Sequence, residues 1–493
     1  MTSGVRSASL LISGRALGTA ASLLIPIVLA RAFSPSVFGT YKQLFLIYGT
    51  LYGVAQLGVA ESLFFFLPRD PGDAGRHAAN SMLVLSGAGL ACLAGLWILR
   101  GWIAARFGNA DLRQSLPALG FFLLLMLATA GLEIVMTARG HYAGAAGAYA
   151  LTDLVRTAFF ILPVMRGFGL QGLLAGAAFV GLLRLAAALF ALRREFGPRL
   201  RPDRDLLKRQ LAYALPFHAA VIVEILQTNL HFYAVSWHFD AATFAIYSVG
   251  CLQVPLVDLV GGSACNVMMV RMAEERRRSG NEAVLGVWHE ATAKLALVFI
   301  PMVVGLLLVG GDVMVLLFTT RYLASVPIFM VWSAGFALAA LPLDGVLRVY
   351  AETRTLLLLS GMKLAVIALS IGWFMKRFGL LGAVLVTLGA LTLAKGLALL
   401  RLKRILGVGA ARILPWRRLA AVAGSALLAA VPALIVRAQL AATIPRLAGT
   451  SLAYGVALMA ALRFFDLAGP RGSAATDHAG ADRAERATCG AEG

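Results

Sequence analysis

Glu224, Gln227, Thr228 and His231 stand at i, i+3, i+4 and i+7, so on a helix they share one face. The run that carries them, 211–237, is otherwise largely apolar. A carboxylate and an imidazole on one face can exchange protons, the chemistry of coupling to a proton gradient. Such a stripe is too polar to face lipid and must meet protein or water. The plainer reading is an interhelical hydrogen-bond seam. Asp258, in the following apolar run with Tyr247 and Cys251 close to the same face, is a second coupling candidate.

Cations stand in the apolar runs as well. Arg15, Lys363, Arg184 and Lys395 are candidates to line a hydrated cavity and hold a diphosphate, with snorkelling to the headgroups as the alternative. An ionisable group at mid-membrane costs at least about 2.5–3.5 kcal/mol on insertion scales, so each one is a functional hypothesis. Glu61, Glu133 and Asp344 join Gln227 and Thr228 as further cavity polar groups, weighed against structural hydrogen bonds. Asp153 and Arg156, at i and i+3, read as a local pair.

Other chemistries are excluded by pattern. Asp203-Arg204-Asp205 matches the Asp-x-Asp by which glycosyltransferases hold a metal and a nucleotide sugar, but it lies in a short basic linker with no room for such a domain. No phosphate-cradling Gly-rich loop, nucleophile elbow or metal-spaced His/Cys set is present, so no catalytic residue, metal or cofactor is expected beyond an H⁺ or Na⁺ gradient. The four cysteines have no close spacing.

The elements that must position these residues follow from composition. The chain has 493 residues, 14% of them charged, and a mean hydropathy of +0.82. Apolar runs of about 20 residues, each long enough to cross a hydrocarbon core as a helix, follow one another. They are too long and too uniformly apolar for barrel strands. The net charge of +20 is dispersed in short clusters between the runs, which encodes topology and argues against nucleic acid.

The spans expected are 9–31, 42–66, 79–98, 115–138, 145–165, 170–192, 211–237, 244–270, 289–309, 326–347, 355–375, 380–400, 419–436 and 447–465, about fourteen transmembrane helices in an all-α integral membrane protein. Arg6, an apolar stretch and Ala30-Arg31-Ala32 could pass for a signal peptide, yet 9–31 is read as a true span. Loops on the N-terminal side hold about 22 Lys/Arg against about 9 opposite, so both termini are expected in the cytoplasm.

A repeat underlies the spans. "FSPSVFGTY" (33–41) returns as "FDAATFAIY" (239–247), with Phe33, Phe38 and Tyr41 matching Phe239, Phe244 and Tyr247 at a shift of 206. Met165, Phe168, Gly169, Leu170 and Gly172 match Met375, Phe378, Gly379, Leu380 and Gly382 at 210, and Arg184 matches Lys395 in charge. Two parallel six-helix repeats follow: a first lobe (1–192), a basic cytoplasmic linker (193–210), a second lobe (211–400), two additional helices (401–466) and a disordered tail (467–493). "FSPSVFGTY" is expected to be a periplasmic hairpin: Pro35 ends a helix, Gly39 loosens a turn, and the aromatics sit among headgroups.

"LARAFSPSVFGTYKQLFLIYG" after the first span, "GVAESLFFFLPRD" (58–70), "VLLFTTRYLASVPIF" (315–329) and the pair "FGLQG"/"FGLLG" resemble the polysaccharide-biosynthesis branch of the multidrug/oligosaccharidyl-lipid/polysaccharide exporter superfamily, which includes Wzx-type flippases. The resemblance implies two lobes around a central cavity in a bacterial inner membrane. It implies translocation of an undecaprenyl-diphosphate-linked oligosaccharide from the cytoplasmic to the periplasmic leaflet, for O-antigen or exopolysaccharide synthesis, coupled to an ion gradient. Expected partners are that lipid-linked substrate, membrane lipids, and a glycan polymerase with its chain-length regulator. A multidrug exporter and a murein-precursor flippase are the alternatives; a membrane glycan polymerase or ligase would need a larger outer loop than this chain has.

Overall fold

The computed structural model describes Gly18 and residues 20–465. Arg15 and the tail 467–493 therefore lie outside the described residues. Of the described residues 88% are helical and none is in a strand, so helices and not a barrel answer the hydropathy.

The helices run in the order α1 (Ala20–Ala32), α2 (Pro35–Ala55), α3 (Val59–Arg69), α4 (Ala74–Arg106), α5 (Asp111–Ala128), α6 (Leu132–Ala138), α7 (Tyr142–Met165), α8 (Gly169–Phe196) and α9 (Arg204–His238). They continue as α10 (Ala241–Gly250), α11 (Pro255–Arg278), α12 (Gly280–Phe318), α13 (Val326–Ala334), α14 (Leu343–Val349), α15 (Thr353–Phe378), α16 (Leu380–Leu406), α17 (Trp416–Gln439) and α18 (Thr443–Phe464). Thirteen stretches among the described residues are helical, long and apolar enough to cross a membrane. They fall on the second to fourteenth expected spans; of the first, the helix α1 is the main described part.

The chain divides into two compact units. The first holds residues up to Leu252 with 317–328 and 357–394. Its core packs α2–α6 and α8 through Ala60, Leu63, Leu85, Leu123, Leu127 and Leu192. The second holds 253–316, 329–356 and 395 onward. There Phe299 and Leu295 of α12 pack with Ala340, and Ala429 and Ala433 of α17 pack with Tyr454 of α18.

The two copies of the sequence motif are helix starts. Ser34 caps α2 by accepting from the Val37 amide at 3.4 Å, with Pro35 in the first turn, where its missing N–H is harmless. Asp240 caps α10 by accepting from the Thr243 amide at 3.0 Å. These two helices pack on each other, and Phe38, Tyr41, Phe244 and Tyr247 are all buried. The expectation of rings among headgroups is thus corrected: they are buried inside the first unit, Phe38 against Tyr41 and Tyr322 and Tyr247 against His231 and Phe232.

Gly39 likewise loosens no turn. It sits inside α2 where the backbone of Ala241 passes so close that a β-carbon would fall on the Ala241 carbonyl. Gly39→Ala is therefore expected to cost about 1–3 kcal/mol by overpacking. Thermal unfolding in detergent checks it; an unshifted midpoint would show that α10 yields freely.

Four expected spans are interrupted. The second breaks at Gln56–Gly58, where Leu57 and Gly58 have φ of 50° and 66°. The fourth breaks at 129–131, the eighth at 251–254, and the tenth loosens into a 3₁₀ stretch, Gly335–Ala340, before α14. Each break frees backbone carbonyls and amides that lipid cannot satisfy, so each demands polar partners.

Candidate functional site

The breaks explain where the acids stand. Glu61, Glu133, Asp258 and Asp344 each occupy the first turn of the helix that restarts after an interruption, namely α3, α6, α11 and α14. A carboxylate there meets the positive end of the new helix dipole. Among these four, Glu133 alone is buried, at 3% exposure, whereas Glu61, Asp258 and Asp344 are exposed. The break at 251–254 also corrects the eighth span: Tyr247 and Asp258 belong to different helices and do not share a face.

The cations sit across from the freed carbonyls. Arg184, on α8, grips Glu133 with both ends of its guanidinium, at 2.6 and 2.7 Å. Its Nε donates to Thr129 Oγ1 at 2.9 Å, its Nη1 to Thr152 Oγ1 at 3.1 Å, and its Nη2 to the Thr129 carbonyl at 3.4 Å. Thr129 lies in the break between α5 and α6, so one side chain fills the gap and neutralises the buried acid. In the second unit Lys395 does the same more loosely. Its Nζ donates to the carbonyl of Leu341, just before α14, at 3.0 Å and stands 3.5 Å from Asp344. Both pairs span 51 residues, and each member of one lies 211 residues from its counterpart. Expected as cavity cations, Arg184 and Lys395 are thus brought together with two of the expected acids.

The stripe on α9 is divided by depth. Glu224 and Thr228 are exposed, Gln227 is half-buried with an unpartnered Oε1, and His231 is buried. Nδ1 of His231 is 2.6 Å from the Tyr247 hydroxyl. One helical rise of about 1.5 Å per residue keeps Glu224 and His231 about 10 Å apart, too far for direct proton exchange. Glu224 makes no hydrogen bond or ion pair among the described residues. Lys363 is half-buried on α15. Asp153 and Arg156 form the expected local pair at 2.8 Å, and Arg156 also donates to Ser22.

Asp203 is spent on structure. Its carboxylate caps α9, accepting from the amides of Asp205 at 3.0 Å and Leu206 at 3.1 Å. The Leu206 amide foremost, and then that of Asp205, hold its carboxyl below the usual range. Asn80 pins its backbone through two bonds of 2.8 and 2.9 Å, so the linker is strapped to α4.

Three features escaped the sequence reading. Asp312, 2% exposed on α12, lies between Arg437 of α17 and Arg446 of α18, with Arg437 at 2.5 Å and Arg446 bonding through both Nε and Nη2. Lys42, half-buried in α2, lies 5.5 Å from the centre of the Phe38 ring. His218 Nε2 stands 3.0 Å from the carbonyl of Gly53 and 3.2 Å from that of Val54, in the last turn of α2 before the break. Asp312, Lys42 and Arg437 fell at or beyond the ends of the expected spans. The helices outrun the hydrocarbon thickness: α12 alone has 39 residues.

Fold and sites define a multi-pass helical membrane protein with the architecture of the multidrug/oligosaccharidyl-lipid/polysaccharide exporters. Residues 28–327 match the family described as polysaccharide biosynthesis protein, and the chain belongs to it. No curated protein sequence matches. Among solved structures the chain is similar to a lipid II flippase, MurJ, in its inward closed conformation, with a TM-score of 0.70 at 14% identity over 94% of this chain and 98% of that one. It is similar to an inward-facing multidrug resistance MATE family transporter, with a TM-score of 0.60 at 14% identity over 78% and 94%. It is also similar to a transporter of the same superfamily from Pyrococcus furiosus, with a TM-score of 0.56 at 15% identity over 82% and 95%.

Proposed function

We propose that the chain flips an undecaprenyl-diphosphate-linked oligosaccharide from the cytoplasmic to the periplasmic leaflet of a bacterial inner membrane, with both termini cytoplasmic. The observation that carries the reading is the family match to polysaccharide biosynthesis on a chain with the exporter fold. The substrate's lipid tail stays in the bilayer, so the protein must shelter only the diphosphate and sugars. The interrupted spans support such work, because half-helices with free backbone ends line hydrated paths in transporters. That the second and fourth, and the eighth and tenth, spans are the interrupted ones supports two parallel six-helix lobes that rock against each other.

Basic groups such as Lys363 and Arg15 hold the diphosphate in this scheme. Glu224, exposed and unbonded among the described residues, takes up the H⁺ or Na⁺ that resets the cycle. A glycan polymerase and its chain-length regulator then consume the product. Murein-precursor flipping is the second reading, favoured by the structural likeness to a lipid II flippase.

A strain lacking the gene is expected to accumulate lipid-linked glycan that periplasmic reagents cannot reach. Accumulation of murein precursor instead would move the assignment to the second reading. In reconstituted vesicles Glu224→Gln is expected to abolish stimulation by an imposed gradient while leaving slow downhill exchange. Unchanged gradient-driven transport would remove Glu224 from the coupling role.

A further inference from the structure

The first unit contains a cavity of about 410 Å³ between α6 and the end of α8, with neither Arg184 nor Glu133 in its lining. One wall is apolar: Val135, Met136 and Leu192 line it, and Phe190 stands 68% exposed at its edge. The other wall is polar and carries Arg139, His141, Arg194 and Glu195. Arg139 spends its Nε on Glu195 at 2.8 Å, and neither of its terminal nitrogens has a hydrogen-bond partner among the described residues. Arg194 and His141 are exposed and make no side-chain hydrogen bond or ion pair among the described residues. Two guanidiniums against one carboxylate leave a net positive charge on this wall.

This polarity fits one kind of molecule. An apolar wall running into a rim of unspent guanidinium donors suits an amphiphile with a phosphate at its head. The rim lies on the side that the positive-inside pattern assigns to the cytoplasm, level with the basic segment 193–210. One net positive charge matches a monoanionic phosphodiester, whereas a diphosphate would meet the Glu195 carboxylate with too few cations to offset it.

We propose that this cleft binds an anionic phospholipid of the inner leaflet, its phosphodiester between Arg139 and Arg194 and its first acyl carbons against Met136 and Phe190. The site does not depend on the transport reading. A lipid seated there would hold α6, and with it the Glu133 side of the break, against α8.

The test uses the full chain in nanodiscs containing a photoactivatable phosphatidylglycerol or the matching phosphatidylcholine, with crosslinked peptides mapped by mass spectrometry. The anionic probe is expected to label 132–141 and 190–195 in preference to the zwitterionic one. Arg194→Gln is expected to lower that labelling about fivefold at limiting lipid, as removal of one surface cation predicts. Equal labelling by both probes would overturn the proposal, and this comparison needs no variant. Unchanged labelling of Arg194→Gln would overturn it too. Displacement of the label by equimolar undecaprenyl diphosphate, against excess phosphatidylglycerol, would assign the cleft to the transport substrate instead.

Discussion

Arg184→Ala is expected to cost about 3–5 kcal/mol, because it strands a buried carboxylate with no counter-ion. Glu133 is 3% exposed and the Arg184 side chain 9%. Removing the arginine also leaves the Thr129 carbonyl and hydroxyl, in the break between α5 and α6, without their guanidinium donors. In detergent the unfolding midpoint should fall sharply. The paired variant Arg184→Leu with Glu133→Leu should recover most of that loss, since a buried ion pair replaced by apolar groups is often neutral.

The paired variant also separates structure from function. If it regains both stability and transport, the pair is scaffolding that closes an interrupted helix. If stability returns and transport does not, the charges themselves serve the cycle. Lys395→Ala should be milder, because Asp344 is 62% exposed and a pair at 3.5 Å whose carboxylate water can solvate contributes about 0–1 kcal/mol. A single ΔΔG for both pairs would contradict the difference in burial.

The double variant Arg437→Ala with Arg446→Ala is expected to be the other severe lesion, again about 3–5 kcal/mol. Asp312 is 2% exposed and, among the described residues, takes its ion pairing from those two, which sit at the facing ends of α17 and α18. Asp312→Ala should be less harmful. Each arginine side chain is 29% exposed and can turn its head toward water once its partner is gone. Amide exchange across 437–446 should rise in both variants and more in the double one. If Asp312→Ala proved the worse, the arginines would be the groups that cannot reach solvent, and the burial argument would fail. The cluster gives the last two helices a defined role in the second unit: Arg437 additionally donates to the Leu308 carbonyl of α12 at 2.6 Å, so α12, α17 and α18 are tied at one point.

Much of the fold was legible because hydropathy is local. A run of about 20 apolar residues announces a membrane helix wherever its neighbours go. Helix starts were less legible: Ser34 and Asp240 are cap residues, yet their motif reads as a hairpin in which Pro35 ends a helix and the rings lie among headgroups. What hid the true roles of Gly39 and Phe38 is contact with distant segments: Gly39 meets Ala241 of α10 and Phe38 meets the Tyr322 ring, each more than 200 residues away in the chain.

The site was legible as an inventory and not as an arrangement. Charge in an apolar run marked Glu133, Arg184, Asp344, Lys395 and Glu224 by the cost of burying them. The same rule missed Asp312, because the apolar window ended at 309 while the helix continues to Phe318. The interruptions were invisible for a different reason. The segments around 56–58, 129–131 and 251–254 carry only lone uncharged polar residues, Gln56, Thr129 and Gln253, inside apolar runs, and such a run reads as continuous whether or not its backbone ladder is.

By itself, then, the sequence determined an all-helical membrane chain, its spans, and which ionisable residues would have to be accommodated away from water. The tertiary structure decided which cation meets which acid, and that they meet where helices stop and restart. The physical reason is that burial cost belongs to a single residue, whereas its relief depends on donors brought from elsewhere in the chain. Arg184 lies 51 residues from Glu133 and Arg437 lies 125 from Asp312.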